Sequence, residues 1–157
     1  MNEEMIKSIL TTLPHFKGVY SFDEQRALPV TSPASYVFNT KPKHVEFGHW
    51  VAIYINSSKQ GVFFDSFGRS PEFLGFHPFL AKHATSFTYN SDIVQNPLSM
   101  TCGQHVIVFL LNGKNVSKWR SLMGDNLLRN DDFVYNFVSR KFNVDVPFYP
   151  SISNLFI

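Results

Sequence analysis

The chain has a single thiol, Cys102. It stands where the loop Ser99-Met100-Thr101 turns into a continuously apolar run, C-G-Q-H-V-I-V-F-L-L. If that run is a helix, its first residue meets unpaired N–H groups and about half a positive charge, which favours thiolate over thiol. Gly103 beside it leaves room for another segment to come close. A nucleophilic cysteine also needs a base within hydrogen-bond reach and a third group to orient that base. His49 follows Gly48 at the head of an alternating segment, and Asp65 sits in the next one, within F-F-D-S-F-G. Taken singly, a cysteine opening a core helix, a histidine at a strand end and an acid beside a turn are all ordinary. A hairpin that brings His49 and Asp65 to one end of a sheet makes the combination chemical.

The elements that must position these groups are legible in outline. His49 to Asn56 alternates, with Val51, Ile53 and Ile55 on one face and Ala52 and Tyr54 on the other. Val62 to Phe67 reads as its partner strand, and Ser57 to Gly61 has hairpin length and chemistry. A tight turn would set His49 nearly opposite Asp65; a longer loop would offset them along the strands. Ser35 to Thr40 and Ser86 to Tyr89 are two further expected strands. Residues 2 to 12 form a short amphipathic helix with Met5, Ile6, Ile9 and Leu10 on one face. Residues 14 to 33 read as an irregular approach to the core. Ser70-Pro71-Glu72 resembles a helix start, and that helix is expected to run to about Lys82. Cys102 to Leu111 is a buried element whose β-branched residues allow a strand and whose length before Asn112-Gly113 favours a helix; amphipathic helices are expected after it at Asn115 to Met123 and Asp131 to Phe142. The element order predicts an α+β fold, a small mainly antiparallel sheet packed against helices, in a single domain spanning residues 1–157.

Composition narrows the function classes. At 157 residues the chain suits one core, and 17 Phe make that core unusually aromatic. Charged residues are only 17% and the formal charge is +2, with basic groups scattered along the chain. This is no disordered solvating chain, and at most a weak attraction to DNA is expected. A lone cysteine excludes an internal disulfide framework and a zinc site built on several cysteines. No stretch approaches the length of a membrane helix, and the first thirteen residues lack a signal-peptide layout. A non-secreted protein without membrane contact, acting as a monomer, is expected. His105, one turn past Cys102, is expected to be a buried, hydrogen-bonded histidine and not the base.

Around the same residues the chain resembles the adenovirus-protease (adenain-like) family, whose relatives occur in virophages and large virus-like DNA transposons. The resemblance is carried by G-H-W at 48 to 50, F-D-S-F-G at 64 to 68 and Q-N-P-L-S-M-T-C-G at 95 to 103. It extends to F-K-G-V-Y at 16 to 20 and V-F-N-T at 37 to 40, and spans roughly residues 13 to 112. The order His, acid, Cys matches that family and differs from the papain order. The resemblance implies an adenain/SUMO-protease-like fold, with Cys102 as nucleophile, His49 as base and Asp65 as orienting acid. Gln95 would donate its side-chain amide to the oxyanion beside the Cys102 N–H. Trp50 would line a narrow substrate groove that admits glycine, as its counterpart does in SUMO proteases; core packing is an equal alternative for it.

The resemblance further implies cleavage of viral or virus-like precursor proteins at glycine-containing sites during particle maturation. The virion and the host nucleus or cytoplasm are its expected locations. The residues themselves call for no cofactor. Because the only cysteine is the expected nucleophile, a viral peptide activator could bind only noncovalently; DNA is the other activator the family suggests. Ser66 replaces the proline of the usual acid-Pro-Phe-Gly. Two competing functions remain: a deconjugating protease for ubiquitin-like modifiers, and a catalytically silent capsid-associated binding domain.

Overall fold

A computed structural model of the chain describes residues 1–45 and 48–146. Five strands form one sheet in chain order: β1 (Phe16–Tyr20), β2 (Ala34–Asn39), β3 (Trp50–Ile55), β4 (Gln60–Phe64) and β5 (Ser86–Tyr89). The central pairs β2–β3 and β3–β4 are antiparallel, whereas the outer pairs β1–β2 and β4–β5 are parallel. The sheet is therefore mixed, which corrects the mainly antiparallel expectation. Its outer strands return through crossovers, and parallel neighbours require such connections.

Among the described residues six helices flank the sheet: α1 (Glu3–Leu10), α2 (Pro71–Leu74), α3 (His77–His83), α4 (Cys102–Leu111), α5 (Val116–Leu122) and α6 (Leu127–Phe142). The alternation of β3 sorts its side chains into two apolar layers. Val51, Ile53 and Ile55 join Tyr36, Phe38, Phe63, Phe76 and Phe79 on one face. Trp50 and Ala52 join Phe64, the apolar body of α4, Trp119 and Val134 on the other. Both faces of the middle strands are thus covered, as in a layered α+β domain.

Several expectations about elements change. β4 ends at Phe64, short of the strand expected to Phe67, and α6 begins at Leu127, ahead of the expected Asp131. Residues 14 to 33 are not wholly irregular: Phe16–Tyr20 is an edge strand with a register shift between Phe16 and Gly18, and residues 22–27 form a 3-10 turn. The helix expected from Ser70 to about Lys82 is broken into α2 and α3. Gly75 takes a left-handed conformation with φ 84° at the end of α2, a conformation that ends helices. Ser70 caps α2 as its sequence suggested, accepting from the Phe73 N–H at 3.2 Å.

Candidate active site

His49 lies just before β3, where Asn39 pairs with Trp50. Its backbone is pinned to Thr40 twice: the Thr40 N–H donates to the His49 carbonyl at 2.8 Å, and the His49 N–H donates to Thr40 Oγ1 at 3.2 Å. Across the hairpin Ala52 faces Phe64 and Ile55 faces Gly61, so the register carries His49 level with Phe67. The two rings stack with centroids 4.7 Å apart. Asp65 lies just past β4 and is fully buried. The hairpin thus does bring His49 and Asp65 together, with His49 Nε2 and Asp65 Oδ1 at 2.5 Å.

The carboxylate of Asp65 is held by more than the histidine. Oδ1 also accepts from the Phe67 N–H at 3.2 Å. Oδ2 accepts from the Arg69 N–H at 3.1 Å and from Arg69 Nε at 2.8 Å. Asn90 bridges the backbone of Asp65, taking its N–H at 3.0 Å and donating Nδ2 to its carbonyl at 2.5 Å. The carboxamide continues the β4–β5 ladder one step beyond its last pair, Phe63 with Tyr89. The turn itself depends on Gly68, whose φ is +69° and where a Cβ would come within 2.7 Å of the Asp92 backbone. Burial alone would raise the Asp65 pKa, but the hydrogen bonds and charges of His49 and Arg69 outweigh it and bring it to about 2.

Cys102 is the first residue of α4 and is half-buried. The His49 imidazole and the Trp50 backbone N–H lie close enough to the thiol to stabilise its charged form. With Nε2 committed to Asp65, Nδ1 is the ring nitrogen left for the sulfur. Burial opposes charge on both partners, yet each holds the other's charged form. His49 is pushed up to about 9, and the Cys102 thiol is brought below its ordinary range. That arrangement favours a thiolate–imidazolium pair at neutral pH. No side chain caps α4, because the hydroxyl of Thr101 is turned to Asp131 Oδ1 at 2.8 Å. The first N–H groups of the helix thus have no side-chain acceptor at the cap.

Gln95 is buried in the loop that leads to Cys102. Its Oε1 accepts from Ser66 Oγ at 2.6 Å, and its Nε2 donates to the Ser99 carbonyl at 3.1 Å. Trp50 is also buried, and its Nε1 donates to the Met1 carbonyl at 3.0 Å. The Met1 side chain packs over Gly103, where a Cβ would come within 3.0 Å of it. The segment that approaches Gly103 is thus the amino-terminal one.

Several supporting residues escaped the sequence reading. Arg69, Asn90 and the hydroxyl of Ser66 act across turns or long separations and have no local signature. Asp131, at the start of α6, is fully buried. It accepts from Thr101 Oγ1, from His105 Nε2 at 3.1 Å and from the Asn96 N–H at 3.1 Å. His105 is accordingly the buried, hydrogen-bonded histidine expected, and burial pushes its pKa down. Among the described residues no group of three or more His, Cys, Asp or Glu side chains could hold a metal ion. No helix among them is long and apolar enough to cross a membrane. No protein-family model matches the chain, and no curated protein does so either.

Proposed function

We propose that the protein is a cysteine endopeptidase that cuts viral or virus-like precursor proteins at glycine-containing sites during particle maturation. The observation that carries the reading is the line Cys102–His49–Asp65, closed behind by Arg69. Nucleophile, base and orienting acid stand in the order that acyl transfer requires.

In the proposed reaction the Cys102 sulfur attacks the scissile carbonyl carbon, and the carbonyl π electrons move onto oxygen. The Cys102 N–H and the Gln95 amide meet that oxyanion. Collapse of the tetrahedral species breaks the C–N bond, and the His49 imidazolium gives its proton to the leaving amine. The thioester left on Cys102 is then hydrolysed by water, whose proton neutral His49 accepts, and the thiolate–imidazolium pair is restored. Asp65 keeps its charge throughout and stabilises the imidazolium. Trp50 packs in the core layer beside α4 and meets the sulfur only through its backbone, so the preference for glycine rests on the family resemblance and not on a groove formed by this side chain.

A glycine-rich precursor peptide library, incubated with wild type and Cys102→Ala, tests this directly. Wild type should cut internal bonds beside glycine, and Cys102→Ala should cut none. Cleavage confined to the carboxyl ends of ubiquitin-like conjugates would replace the reading with a deconjugating protease. No cleavage of any peptide, together with ordinary slow alkylation of the thiol, would leave a silent binding domain.

A further inference from the structure

We infer that Ser66 is a positioning residue that fixes which atom of the Gln95 carboxamide faces the reacting carbonyl. The inference rests on the cysteine-peptidase reading and deepens it.

A glutamine amide is nearly symmetric in shape but opposite in chemistry at its two ends. Turned one way it offers N–H donors to an oxyanion; turned the other way it presents a carbonyl oxygen and repels the same charge. Something must therefore hold the amide in one orientation. The Ser99 carbonyl can only accept, so the Gln95 atom 3.1 Å from it is the nitrogen. The Ser66 hydroxyl, 2.6 Å from the other end, then donates to Oε1. A flipped amide would set two acceptor oxygens against each other at Ser99. Ser66 strengthens its hold through its own carbonyl, which accepts from the Val94 N–H at 2.9 Å and the Gln95 N–H at 3.2 Å. Ser66 is fully buried and Gln95 nearly so, so water does not compete for these bonds. The amide nitrogen makes one hydrogen bond among the described residues, and its second proton is the one we assign to the oxyanion. Ser66 also follows Asp65 directly, so one turn carries both the acid that orients His49 and the hydroxyl that orients Gln95.

The test is a double-mutant cycle read by steady-state kinetics on a glycine-site peptide, with thiol alkylation in parallel. Ser66→Ala should lower kcat about tenfold, the scale of one buried hydrogen bond, with KM hardly changed. Alkylation of Cys102 and its pH profile should stay as in wild type, because alkylation builds no oxyanion. In a Gln95→Ala background the same substitution should cost less than about twofold. Ser66→Thr, which keeps the hydroxyl, should retain most of the wild-type kcat provided its melting temperature is that of wild type. The inference is overturned if Ser66→Ala keeps the wild-type kcat. It is equally overturned if the substitution slows the Gln95→Ala protein as much as wild type, or if alkylation falls in parallel with kcat. A Ser66→Thr protein with wild-type melting but the alanine rate also overturns it. Wild type that cuts no peptide removes the peptidase reading itself, a separate failure visible before any Ser66 variant is made.

Discussion

At the residue scale the site is a chain of charges in which each member fixes the next. Arg69 and two backbone N–H groups hold Asp65 ionised, Asp65 holds the imidazolium, and the imidazolium holds the thiolate. On the proposed peptidase reading, activity should be high across neutral pH and fall as pH rises through about 9, where His49 loses the proton destined for the leaving amine. Asp65→Asn keeps a hydrogen-bonding shape but removes the charge that raises the His49 pKa. Its alkaline limb should move to lower pH, and its kcat should drop roughly a hundredfold, the lower end for a positioned acid–base group. A pH–rate profile decides this: an unmoved limb with a wild-type rate would leave a Cys–His dyad with Asp65 as a bystander. Of this chain, the sequence showed the three residues with distinctive chemistry. It did not show Arg69 or Asn90. An arginine four residues after an acid, beside a turn, is no rarity, and an asparagine that meets Asp65 only through the fold leaves no local trace.

At the element scale the site is a junction between the β3–β4 hairpin and α4, braced by α6. The hairpin and the two carboxyl-terminal helices were readable because their apolar periods are strong and local, whereas the run from Cys102 is continuously apolar and only its length and the family resemblance favoured a helix over a strand. The β1 strand was not, because Gly18 interrupts its alternation and its pairing is parallel, with no tight turn to announce it. The break between α2 and α3 was missed although Gly75 was in plain view, since a glycine within a helical pattern is often tolerated. Least legible was the brace itself. Asp131 gathers Thr101, His105 and the Asn96 N–H, and neighbouring Asn130 donates to the Val94 carbonyl at 3.1 Å. The first turns of α6 thereby hold both ends of the loop that carries Gln95 to Cys102. Asp131→Ala removes the acceptor of three donors, two of them buried, and should cost about 2 kcal/mol or more in urea unfolding, at 1–3 kcal/mol for each buried group left unpaired. Asp131→Asn, which keeps an acceptor for Thr101 and His105, should lose less. An alanine variant within about 1 kcal/mol of wild type would show that water satisfies these groups instead.

At the scale of the whole molecule, the cluster of His49, Asp65 and Arg69 contributes to stability. The Asp65 pKa lies at about 2 in the fold against an ordinary 3.8. A depressed carboxylate stabilises fully above its unfolded value, and that contribution is lost as pH falls from about 4 toward 2. The shift corresponds to about 2 kcal/mol. Wild type should lose stability over this acid window, whereas Asp65→Asn should be less stable at neutral pH and flatter in the same window. Denaturation midpoints measured from pH 7 to 2 would show it, and parallel curves would place the acid sensitivity elsewhere. The layered sheet has one more consequence, for the order in which the site is assembled. His49 and Asp65 meet across a hairpin, 16 residues apart, a contact that costs little loop entropy and can close early. Cys102 reaches them only when α4 docks against the sheet, after β5 and both crossover helices have been threaded. A ribosome-bound or half-folded chain would thus carry a thiol without its neighbouring imidazole, and the two would meet only as the fold is completed.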